Sequence, residues 1–286
     1  MLDEVRDFVA LARSGAYLGG DRRVSPRERT RWRLTFRRLA TDAQQALRAD
    51  DLDAAAAALE LVIDLACETR GLEYFRTEDP MQAAQFVVSD AVALLWSTVR
   101  DRHGFAGFAE RAAPQLIRWE SPFGWTRYGS GQLADKETSL AEVLAGMLHA
   151  SDLWSGFAAR YLDALDDLAG GGAKATRRLH RSADRDRKER ARALAGWHGM
   201  LLDRLVHSEA EGLLDRLAVH PALTGPELTF LQAQLAYRHD DTDRARTLVH
   251  ACLEELPGHR DFHDFAKRIG APLPPRAQKV GAVRPY

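Results

Sequence analysis

Residues 25–71 read SPRERTRWRLTFRRLATDAQQALRADDLDAAAAALELVIDLACETRG, and their periodicity decides the fold class. Ser25-Pro26-Arg27-Glu28 combines an N-cap hydroxyl, a proline at the first helical position and a capping-box glutamate, which predicts a helix from Pro26 to about Arg48. Its apolar face is Trp32, Phe36, Leu39, Ala43 and Leu47, at the three- and four-residue spacing of an amphipathic helix. The acidic turn at Asp50-Asp51 then caps a second helix, Asp53 to Arg70, whose apolar face is Leu59, Val62, Ile63 and Ala66 and which Gly71 closes.

The same signals recur in both directions. A short helix is expected around Val5, Phe8, Val9 and Ala12, and a long one opens at Asp79-Pro80, runs through Val99 and ends at Gly104. Pro114 should kink or split the helix expected from Phe105 to Arg118. Thr138–Leu148 and Asp152–Leu168 form a pair, Thr176–His207 is charged first and apolar later, and a capping box at Ser208 precedes Leu213. Further helices open near Pro226, Thr242 and His259, with Gly270 ending the last. About twelve helices joined by short turns predict an all-α fold of stacked antiparallel pairs, an irregular α-solenoid or helical-repeat-like array. Gly170-Gly171-Gly172 is the clearest break. It separates an N-terminal helical region (1–169) by a glycine linker (170–173) from a C-terminal helical region (174–270), and the proline-containing residues 271–286 read as a flexible tail.

Composition agrees with helix. The 286 residues include 46 Ala and 38 Leu against 17 Val plus Ile, which excludes an all-β sandwich or barrel. With 28% charged and 45% hydrophobic residues, the chain has ordinary globular usage rather than that of a disordered one. Cys67 and Cys252 form no C-x-x-C pair, so a disulfide framework and a four-cysteine zinc site are unsupported and a reducing, cytoplasmic setting is expected. The N-terminus lacks a basic region followed by an apolar run, and no apolar stretch approaches the roughly 20 residues of a membrane helix. The 35 Arg against 5 Lys point to a GC-rich bacterial source.

An internal match joins distant segments. Arg48-Ala49-Asp50-Asp51-Leu52-Asp53-Ala54-Ala55 and Arg238-His239-Asp240-Asp241-Thr242-Asp243-Arg244-Ala245 share the pattern R-x-D-D-x-D-x-A, and Leu59, Val62 and Ile63 correspond to Val249, Cys252 and Leu253. In residues 226–258, Ala233, Ala236, Tyr237, Ala245, Val249, Cys252 and Pro257 occupy small, aromatic and proline positions. There the chain resembles the tetratricopeptide repeat, with a partial second match near 40–70. The resemblance implies a protein-binding helical array.

Charge is segregated. Residues 21–38 and 174–192 each carry a net +6, so the rest of this chain of net charge −1 carries −13. Arg22, Arg23, Arg27 and Arg31 in the first segment, and Arg177, Arg178 and Arg181 in the second, are candidate contacts for phosphate or an acidic partner. No zinc finger or leucine-zipper basic region accompanies them. Residues 120–131 read as a loop rich in aromatics and glycine, with Trp125 and Tyr128 on a small hairpin turned at Gly129-Ser130-Gly131 and Arg127 opposite. Trp125, Arg127 and Tyr128 are the candidate partner-binding residues, the other reading being a structural plug whose aromatics cover an exposed helix end. His259 and His263 have a metal-compatible spacing, with His250 and Asp264 as conceivable further ligands, but they read as a surface pair without metal. Asp64 and Asp90 lie in apolar surroundings and read as paired or solvated carboxylates.

No phosphate loop, nucleophile elbow or cysteine–histidine signature is present, so no catalytic residue and no cofactor is expected. The expected function is a cytoplasmic adaptor or scaffold that binds another protein, with a nucleic-acid-associated regulator as the alternative and a helical enzyme third. No membrane partner is expected.

Overall fold

Helices form where caps and apolar stripes coincide. The computed structural model describes residues 7, 26–71, 87–129, 137–171, 193–202, 204–205, 216 and 225–282; within these, the side chains of 26, 28, 29, 32, 64–71, 121–129, 151, 168–171 and 227 are outside the description. Ten helices are present among the described residues, with no strand. They are α1 (Pro26–Arg48), α2 (Leu52–Gly71), α3 (Val88–Gly129), α4 (Leu140–Met147), α5 (Ser151–Gly171), α6 (193–202), α7 (Pro226–Arg238), α8 (Thr242–Glu255), α9 (Arg260–Arg268) and α10 (Pro275–Val280). None is long and apolar enough to cross a membrane.

The all-α class therefore holds, while among the described residues the helices number ten rather than twelve and the expected solenoid arrangement is not found. The chain divides into two compact units, Met1–Met147 and Leu148–Tyr286, each with its own core. One reason for the lower count is α3. Gly104, at φ 67° and ψ −175°, breaks its helical geometry as expected, but the second arm then runs through Pro114 to Gly129. Ala112, Ala113, Leu116 and Ile117 are buried on both sides of the proline, and their packing holds the helix together across it. The helices expected over 5–12 and 208–217 fall almost wholly outside the described residues.

In the first unit, α1 and α2 pack on each other and both meet α3. Phe36, Leu39, Ala43 and Leu47 of α1 are buried as the periodicity requires, with Leu52, Ala55, Leu59 and Val62 of α2. The arms of α3 are joined where Trp96 Nε1 donates to Gln115 Oε1 at 2.9 Å and the Trp96 ring meets Phe108 edge-on. Two buried carboxylates finish helix starts. Glu137 accepts from the Val88 and Ser89 amides and the Ser89 hydroxyl at 2.7–3.0 Å, and Glu120 accepts from the Leu140 amide at 2.8 Å. Both place negative charge at the positive end of a helix dipole. Asp90, by contrast, is exposed.

The internal sequence match is realised as two matching turns. Asp50 and Asp240 both adopt left-handed backbone, at φ 62° and 61°. Asp51 and Asp241 each cap the following helix, accepting from the amides of Ala54 and Arg244 at 3.1 Å. The amides of Asp51 and Asp241 return to Ala46 and Ala236 carbonyls at 2.9 Å in both turns. Equivalent apolar positions are buried too: Ala43 and Ala233, Ala55 and Ala245, Leu59 and Val249, Val62 and Cys252. Each unit thus contains one helix–turn–helix of the same local design.

In the second unit, α7, α8 and α9 share a core with α10. Residues 271–286 were expected to be a flexible tail, yet Pro275–Val280 is helical and Ala277 is fully buried. Proline at the first helical turn presets φ, and Gln278 Nε2 returns to the Leu273 carbonyl. The glycine run also differs from expectation. α5 continues through Gly170 and Gly171, residues 172–173 lie outside the described set, and the division between units falls earlier, after Met147.

Candidate functional site

The second unit has a cleft of about 550 Å³ between α6, α7 and α9. Its α6 wall is built from small residues, Ala195, Gly196 and Gly199, with His198 between them. A Cβ added at Gly196 or Gly199 would meet no atom within 4 Å, so both glycines look onto open space. The facing wall comes from Phe230, Leu231 and Gln234 of α7 and from Phe262 and Phe265 of α9. This size falls within the roughly 300–1,000 Å³ typical of ligand pockets.

Ring contacts run along that second wall. His259 stacks on Phe262 at 4.0 Å, Phe262 meets Phe230 at 4.7 Å, and Phe230 meets Phe265 edge-on at 5.3 Å. The Arg268 guanidinium lies 4.8 Å above the Phe265 ring, held there by cation–π attraction. Polar groups stand around the aromatic floor. Asp261 and Asp264 line the cleft on exposed turns of α9, and Asp264 pairs with Arg260 at 3.5 Å. His259 Nδ1 is buried without a hydrogen-bond partner among the described residues.

His198 joins the cleft to the core behind it. Its Nε2 is 2.9 Å from the Tyr161 hydroxyl of α5, and the neighbouring Trp197 stacks on Trp154 at 5.5 Å with Phe157 and Tyr161 edge-on. Desolvation by burial lowers the imidazole from its ordinary 6.5 to about 3. Near neutral pH it is uncharged and exchanges no proton, so it serves as a fixed hydrogen-bonding and packing group. An apolar aromatic floor, small residues opposite and both signs of charge at the rim make a surface suited to binding.

The residues singled out from sequence are placed as follows. Residues 121–129 continue α3, so the loop and hairpin expected over 120–131 are not present in the described part. Gly124 and Gly129 each cost a helix about 1 kcal/mol and Pro122 about 3 kcal/mol in intrinsic propensity, so local propensity favoured the loop. The side chains of Trp125, Arg127 and Tyr128 lie outside the description, as do Arg22, Arg23, Arg177, Arg178, Arg181, Asp64 and Cys67. Arg27 and Arg31 are exposed on α1, where they line a second cleft of about 450 Å³ with Thr30, Leu34, Thr35 and Arg38.

The histidine pair is not a surface pair. His263 is buried, with Nε2 2.8 Å from the Pro257 carbonyl, and His259 is half-buried against Phe262. α9 presents its apolar face to the core, which carries His263 inward with Phe262 and Ala266. No group of three or more metal-ligating side chains occurs among the described residues.

His198, Phe230, Gln234 and Phe262 were missed by sequence reasoning. The available signal was Gly196-Trp197-His198-Gly199, two glycines within a helix around two large rings. Comparison with protein-family models, with curated proteins and with solved structures finds no match to this chain.

Proposed function

We propose that the chain is a protein-binding adaptor whose second unit takes a segment of a partner polypeptide in the α6–α7–α9 cleft. The observation that carries this reading is the cleft itself, where the half-buried Phe230 ring, backed by the buried Phe262 and Phe265, stands across open space from the small residues of α6. A partner's apolar side chain would fill the floor, while Asp261 and Arg268 at the rim would meet basic and acidic neighbours and set its direction. Buried anchors in such pockets dominate binding energy, and rim charges tune specificity. The tetratricopeptide-like residues of α7 and α8 support the same reading. The composition favours a bacterial cytoplasm. A nucleic-acid-associated regulator is the alternative, favoured by the exposed arginines of α1.

Selection of a displayed random-peptide library against the full-length chain tests the proposal. Peptides recovered on the wild type should lose about tenfold or more in affinity for Gly199→Leu, which fills the cleft without meeting a packed neighbour at its Cβ. Equal binding to both proteins would refute the cleft as the docking site.

A further inference from the structure

The outward face of α1 carries positive charge that the described acidic turn beside it does not neutralise. Arg27, Arg31, Leu34 and Arg38 follow spacings of four, three and four residues, which puts them on one stripe. Phe36, Leu39 and Ala43 occupy the opposite, buried face. Acidic residues of the turn before α2 and of α2 itself are engaged elsewhere: α3 supplies Arg102 to Asp50, Arg111 to Asp53 at 3.7 Å and Arg118 to Glu60 at 3.4 Å. Among the described residues, Arg27 and Arg38 have no carboxylate partner. Between them Leu34 is 57% exposed, a large apolar side chain in water. These residues line a cleft of about 450 Å³.

We propose that this face docks an acidic amphipathic segment of a partner protein, with carboxylates on Arg27 and Arg38 and an apolar side chain covering Leu34. Charge complementarity selects an anion, and Leu34 selects among anions. A phosphodiester backbone would satisfy the guanidinium groups and leave Leu34 in water, and none of the described residues lining the cleft carries a ring on which a base could stack. One leucine is too small an apolar face to seat a helix in a lipid surface. A segment with acidic and apolar residues at helical spacing meets both demands.

Fluorescence anisotropy with the full-length chain provides the test. The probe is a fluorescein-labelled peptide of Glu and Leu with the leucines at helical spacing. Comparison probes are the same peptide with every Leu replaced by Gln, a short DNA duplex and phosphatidylserine vesicles. The Glu/Leu peptide should bind best, and more weakly as salt is raised. Leu34→Ser alone and Arg27→Glu with Arg38→Glu should each weaken it about tenfold or more at unchanged melting temperature, since all three side chains are exposed. Equal binding of the Gln peptide, tighter binding of DNA or vesicles, no effect of Leu34→Ser, or no binding of any probe would each overturn the proposal. Gly199→Leu should leave this binding intact, so its outcome is independent of the cleft in the second unit.

Discussion

Burial of His198 as a neutral imidazole couples the stability of the second unit to pH. In the unfolded chain the ring gains a proton as pH falls through 6.5; in the folded chain it does so only near 3. Between those values the unfolded state binds more protons, so this contribution to stability is fully present above about pH 6.5 and is lost toward pH 3. The slope is on the order of 1.4 kcal/mol per pH unit, or about 2 kcal/mol by pH 5, out of the roughly 5–15 kcal/mol that hold an ordinary domain together. His198→Gln retains a polar partner for the Tyr161 hydroxyl and removes the titration. Urea denaturation followed by the fluorescence of neighbouring Trp197, assigned with a Trp197→Phe control, should show the wild type losing stability more steeply than His198→Gln between about pH 6.5 and 5. Parallel pH profiles for the two proteins would refute the assignment of a buried neutral histidine.

Other substitutions probe single features. Gly196→Ala and Gly199→Ala should each raise stability by about 0.5–1 kcal/mol in thermal melts, because both are helical and neither new methyl meets a neighbour. Glu137→Ala strips partners from two amides at the start of α3 and should cost about 2–4 kcal/mol in urea melts reporting on the first unit. Asp240→Gly should stabilise the second unit by about 1 kcal/mol by relieving a left-handed residue, while Asp50→Gly should gain less because it forfeits the ion pair with Arg102.

The helices were legible where local chemistry decides them. The capping box at Ser25-Pro26-Arg27-Glu28, the Asp-Asp turns and Gly104 are short-range signals, and the structure places helix ends at or near each. The course of residues 121–129 and 275–280 was not legible. In both, glycine or proline lowers local helix propensity, and for 275–280 the burial of Ala277 in a core built from distant residues offsets it. Glu137 reaches Val88 and Ser89 across the intervening chain, and no spacing rule announces such a cap. The cleft was hidden for the same reason: its walls come from residues 195–199, 230–234 and 259–268, and only the glycines of α6 hinted that something must fit against them. The stripe at Arg27, Arg31 and Arg38 was visible as charge, while the exposure of Leu34 within it required the structure.

Site-specific photocrosslinking in the protein's native cell tests the adaptor reading most directly. A benzophenone amino acid in place of Gln234 projects from α7 into the cleft. The account predicts a discrete crosslinked polypeptide whose peptide map places the adduct on an apolar side chain flanked by charge, lost when Gly199→Leu is added. Crosslinks unaffected by Gly199→Leu, or adducts to small molecules alone, would contradict it.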